Sequence, residues 1–94
     1  MTSEMYRPAH SGAVLRDYLE GHSVTDVAKH IGVSRVTLSK ILNCRTGITA
    51  DMSLRLSAAL GTNPSFWLDM QSNYDVGQAR NRKRPRTRPL KIAA

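Results

Sequence analysis

The sequence predicts an all-α fold: a bundle of five short helices followed by a flexible basic tail. Apolar residues recur at helical spacing between capping and turn residues, and strand signals are absent. The composition also changes abruptly after position 79, where Arg80 opens a run of bases with two prolines. Of the 94 residues 40% are apolar, enough for one small domain and too few for an additional enzyme-sized pocket.

Taken in order, Val14, Leu15, Tyr18 and Leu19 share one face of a first helix that begins after Ser11 and ends near Gly21. Ser23 with Asp26 approximates a capping box for a second helix, whose buried stripe is Val27, Ala28 and Ile31 and whose stop is Gly32. Val33 tucks underneath, and Ser34 caps a third helix from Arg35 to Asn43. Its apolar members Leu38, Ile41 and Leu42 face inward, leaving Arg35, Thr37, Ser39, Lys40 and Asn43 mostly outward. Thr49 caps a fourth helix, with Asp51 near its positive end and Met52, Leu54, Leu56, Ala59 and Leu60 as packing surface before Gly61. Asn63-Pro64 opens a fifth, whose stripe of Phe66, Trp67, Met70 and Tyr74 reaches Val76 to Ala79. The expected organisation is a domain over 1–79 and a tail over 80–94, where Pro85 and Pro89 prevent a long helix.

Fourteen Lys and Arg against seven Asp and Glu give a formal charge of +7, which calls for an anionic partner such as nucleic acid or a membrane surface. Arg80, Arg82, Lys83, Arg84, Arg86, Arg88 and Lys91 supply all of that excess, so residues 1–79 are neutral. Within the neutral part, segment 27–50 holds Lys29, Arg35, Lys40 and Arg45 and no acid. A polar helix face in such a segment suits duplex DNA, with its N-terminal end in the major groove. Arg35 could fork onto guanine, Thr37 could touch a thymine methyl or a phosphate, and Ser34, Ser39, Lys40, Asn43 and Arg45 complete the set. Ser23 and Thr25 would anchor phosphates at the preceding helix start. The bland alternative is a solvated surface face.

Segment 23–43, SVTDVAKHIGVSRVTLSKILN, resembles the helix-turn-helix of the phage-repressor-like (XRE or Cro/CI) family, with Ala28 in the tight interhelical position, Gly32 in the turn and Leu38 as core anchor. Pro8-Ala9-His10-Ser11-Gly12, Arg45-Thr46-Gly47-Ile48-Thr49, and Gly61 to Leu68 with Tyr74-Asp75 make it similar to the HigA antitoxins over residues 6–76. Cys44 stands where relatives usually carry glycine, and the tail is unusually basic. The resemblance implies a lambda-repressor-like bundle and a dimeric operator-binding repressor. It also implies binding and neutralisation of a HigB-type toxin, a RelE-like ribonuclease that cleaves mRNA, and repression of the operon they share.

Other readings stay beside this one. The stripe Phe66, Trp67, Met70 and Tyr74 is core alone or core plus a homodimer interface; a twofold dimer would set two recognition helices ~34 Å apart on a palindrome. His22, Asp26 and His30 are spaced by four, but an i, i+4 pair of Asp26 and His30 explains them better than a metal site, and no cofactor is expected. The single Cys44 allows no intrachain disulfide and suggests a reducing cytoplasm. No nucleophile elbow, phosphate loop or paired catalytic carboxylate marks an enzyme. Neither a membrane span nor, at Met1-Thr2-Ser3-Glu4, a signal peptide is expected. The tail is either solvated or a nonspecific phosphate clamp. A stand-alone phage or plasmid regulator without a toxin, and a scaffold or RNA-binding protein using the tail, are the competing functions.

Overall fold

A computed structural model describes residues 8–92; Met1–Glu4 and the last two tail positions lie outside the described residues. The elements are α1 (Ser11–Tyr18), α2 (Val24–Ile31), α3 (Arg35–Leu42), α4 (Ala50–Leu60) and α5 (Phe66–Asn81), with no strand among the described residues. The helices start where side chains can take up their unpaired amides. His10, Ser23, Ser34 and Thr49 accept from the N–H groups of Gly12, Asp26, Thr37 and Met52 respectively. Gly32 and Gly61 then close α2 and α4 in the left-handed conformation.

Leu15, Leu38, Ile41, Leu56 and Trp67 form the fully enclosed centre, wrapped by Leu19, Ala28, Ile31, Leu42, Ile48 and Met52. The third helix packs on α1 and α2, while α5 packs on α1 and α4. Gly12 permits the approach of α1 to α3, because a Cβ there would collide with the Ile41 carbonyl. Polar groups inside this core are paired. Ser53 Oγ donates to the Pro64 carbonyl (2.8 Å) and accepts from the Leu68 N–H (3.2 Å). Ser57 Oγ donates to the Asn63 carbonyl (2.7 Å) and accepts from Thr62 Oγ1, which in turn accepts the Trp67 indole N–H at 3.1 Å. Leaving any one of these unpaired would cost about 1–3 kcal/mol, so the network fixes where α5 starts.

That network also explains three departures from the sequence expectation. The inner face of α4 is Met52, Ser53, Leu56 and Ser57, so Leu54 (57% exposed) and Ala59 point outward. Pro64 sits in the connecting turn rather than in the first turn of α5, which begins at Phe66 and runs past Ala79 to Asn81. Tyr18 is half in solvent, its ring edge against Trp67 at 5.0 Å, because Trp67 already fills the space beneath α1.

Candidate nucleic-acid interface

The α2–α3 unit is built around one tight reversal. Gly32 adopts φ 77° and ψ 35°, its N–H reaching the Lys29 carbonyl at 3.3 Å while the Val33 N–H reaches Ala28 at 3.0 Å. These two bonds satisfy carbonyls that the end of α2 would otherwise leave open, and they turn the chain into α3. Ala28 is small enough to be buried at the crossing, and Val33 packs on the core. From α4, Arg55 Nη1 donates to the carbonyls of Ile31 (2.8 Å) and Gly32 (3.3 Å), while its Nε holds Asp51 at 2.8 Å. The turn is thereby tied to a helix outside the pair.

With Leu38, Ile41 and Leu42 committed to the core, Val36, Lys40 and Asn43 lie on the opposite side at i, i+4 and i+7. Arg35 and Thr37 are exposed in the first turn. Ser34 Oγ accepts the Thr37 N–H (3.0 Å) and donates to Thr37 Oγ1 (2.8 Å), leaving the Thr37 hydroxyl proton for an outside acceptor. Ser23 caps α2 in the same manner, with Thr25 exposed beside it. Beyond α3, Arg45 is exposed. Eight of the nine predicted DNA-contact residues are exposed, Ser39 being half-buried.

Ser39 and Asn43 also have internal partners. Arg16 Nη2, from α1, donates to Asn43 Oδ1 (2.8 Å) and to the Leu42 carbonyl (3.0 Å), and Asn43 Nδ2 donates to Ser39 Oγ at 3.3 Å. Arg16 and Arg55 are therefore positioning residues that the sequence pattern did not single out. Val36 was missed for a different reason. An apolar side chain outside the inward set of Leu38, Ile41 and Leu42, it is 62% exposed in the middle of the polar face, where an apolar group can meet a thymine methyl.

Phe66, Met70 and Tyr74 are half-buried at i, i+4 and i+8 on α5, whereas Trp67 is wholly enclosed and offers no surface to a second copy. His22, Asp26 and His30 line a shallow groove of about 340 Å³ with Tyr18 and Leu60. No three metal-ligating side chains converge among the described residues, and the ion pair found among them is Arg55–Asp51, not Asp26–His30. No helix among the described residues is long and apolar enough to cross a membrane.

Residues 15–67 match the helix-turn-helix family, a span that includes the whole α2–α3 unit. Antitoxin HigA-1 of Vibrio cholerae serotype O1 is 38% identical over 79 residues, which cover 81% of this chain and 74% of that protein. The solved antitoxin GraA superposes with a TM-score of 0.76 at 41% identity, covering 80% of this chain and 84% of GraA. Antitoxin HigA of Pseudomonas aeruginosa, solved with the higBA promoter, superposes with a TM-score of 0.74 at 36% identity, covering 78% of this chain and 83% of its own. With the caps, the glycine turn and the matched span all coinciding, the chain belongs to the XRE-type helix-turn-helix family, in its HigA antitoxin branch.

Proposed function

We propose that this chain is a homodimeric transcriptional repressor that binds a palindromic operator, neutralises a HigB-like ribonuclease toxin of the RelE type, and so regulates the operon the pair shares. One observation carries the DNA half: the outer side of α3 stands clear of the core in an acid-free stretch, with Arg35, Val36, Thr37 and Lys40 exposed. The likeness to a HigA solved with its promoter supports the same reading. Arg35 and Lys40 reach base edges, Val36 meets a thymine methyl, and Ser23, Thr25, Ser34, Thr37 and Arg45 hold phosphates. Ser39 and Asn43 contribute by fixing the end of α3 through Arg16.

The proposed domain is 1–79, with a basic segment over 80–94 that adds ionic affinity, its first two residues finishing α5. Phe66, Met70 and Tyr74 supply the contact between copies. Repression of DNA sets the protein in the cytoplasm, with no catalytic role of its own.

A duplex selected from a random pool by the full chain tests this. Arg35→Ala is expected to lose about 1–3 kcal/mol of binding and to relax preference at one base of each half-site, with helicity unchanged. Unchanged affinity and preference would remove α3 as the reader. A coexpressed HigB-type ribonuclease is expected to coelute with the chain; a ribonuclease that elutes alone would remove the toxin half.

A further inference from the structure

We propose that the segment following α5 is a minor-groove arm, an extended row of arginines that lies in A·T-rich DNA flanking the operator. The inference rests on the DNA-binding reading above and assigns the arm its ligand. After α5 ends at Asn81, Arg82 leaves with extended backbone (φ −89°, ψ 144°), and residues 83–92 are exposed with neither helix nor strand. Beyond α5, arginine occupies 82, 84, 86 and 88, every second position, and no acid follows Asp75. Pro85 and Pro89 remove backbone donors and bias Arg84 and Arg88 toward extended conformations. At ~3.3 Å per residue, alternate guanidiniums recur every ~6.6 Å, close to the ~6.8 Å rise of two base pairs.

The fold gives these charges little to do. Residues 1–79 are neutral, and Arg84 Nη1 closes the last turn of α5 on the Ala79 carbonyl at 2.8 Å, while Arg86 and Arg88 lie exposed beyond it. Shape and residue type then choose the groove. A helix fits the ~12 Å major groove, whereas the ~6 Å minor groove takes an extended chain. Narrow A·T tracts concentrate negative potential and draw arginine in particular. Five of the seven tail bases are arginine; because arginine also forks onto phosphate, the alternate spacing and the proline-biased extended backbone are what favour the groove over a phosphate clamp.

The test places the selected operator core between A·T, G·C or inosine·C flanks and measures binding of the full chain by fluorescence anisotropy. Inosine·C presents an A·T-like minor groove, lacking the guanine N2 amino group, and a G·C-like major groove. The A·T and inosine·C flanks are expected to bind roughly tenfold tighter than G·C. Arg86→Lys with Arg88→Lys should abolish that difference while keeping the core preference and the salt slope, because the charge is unchanged. Equal affinity on all three flanks, or inosine·C behaving as G·C, would overturn the arm and leave the α3 reading intact. Single-stranded RNA bound as tightly as the A·T-flanked duplex would reassign the arm to RNA. Failure to select any core would overturn both readings.

Discussion

The two helices of the DNA-binding unit end by the same device, executed with different residues. At the end of α2, Gly32 is left-handed and Arg55 from α4 holds the last carbonyls; at the end of α3, Cys44 is left-handed (φ 58°) and Arg16 from α1 holds the last carbonyl. The Cys44 N–H reaches Ile41 at 3.0 Å and the Arg45 N–H reaches Lys40 at 2.9 Å, the same pair of closing bonds that Gly32 and Val33 make. The difference lies in strain and support. Glycine adopts this geometry freely, whereas a residue with a Cβ costs roughly 1–2 kcal/mol there. Arg55 is also steadied by Asp51, while Arg16 depends on the neutral Asn43. The unstrained, doubly held end is the one that sets the start of α3, where Arg35 and Val36 project.

The largest loss should follow from removing what both ends share. Leu38 has no exposed surface and lies between them, so Leu38→Ala should cost about 2–5 kcal/mol and loosen both closures together. Urea unfolding measures this, and a cost under 1 kcal/mol would mean the two ends do not depend on a common core. Next, Gly32→Ala attacks one end alone. Its Cβ would sit 2.9 Å from Arg55 Nη1 at a positive φ, so a loss of about 1–2 kcal/mol is expected. Amide exchange should accelerate around Gly32 and Val33 and stay unchanged at Cys44 and Arg45.

The converse substitution sharpens the contrast. Cys44→Gly should stabilise the chain by about 0.5–1 kcal/mol, the relieved strain less the added chain entropy of glycine. A destabilising result would mean the thiol makes a contribution that its exposure hides.

These residues also mark what the sequence makes legible. Ser23, Ser34, Thr49 and Gly32 were readable because a cap or a turn is a local transaction, settled within a few residues. Arg16 and Arg55 were not, because their carbonyl partners lie 26 and 24 positions away and nothing in either arginine's own neighbourhood specifies them. Periodicity misassigned Leu54 and left Val36 unplaced for a related reason: it registers apolar character, whereas Ser53 and Ser57 take inward places on α4 by finding hydrogen-bond partners. The outer face of α3 was therefore visible as a polar stretch, but its apolar member and the two arginines that anchor the helix ends required the fold.

The smallest expected effect is a pH dependence felt first at the Cys44 end. His10 caps α1 by accepting the Gly12 N–H on Nδ1 (2.8 Å), and its ring lies edge-on to Tyr74 at 4.8 Å. Burial lowers its pKa from the ordinary 6.5, partly opposed by the charge of Asp75. The folded chain thus prefers neutral His10, so the unfolded chain binds more protons between the lowered value and 6.5. Stability from this site is complete above 6.5 and declines as pH falls through the folded-state pKa, because a protonated Nδ1 can no longer accept from Gly12. Gly12 touches the last turn of α3, and Arg16 lies one turn further along α1, so loss of the cap should reach Cys44 and Arg45 first. Amide exchange followed from neutral to mildly acidic pH should show those two amides opening before Gly32 and Val33. His10→Asn, which retains a capping oxygen without the titration, should flatten the response; an unaltered response in that variant would assign the pH dependence to another group.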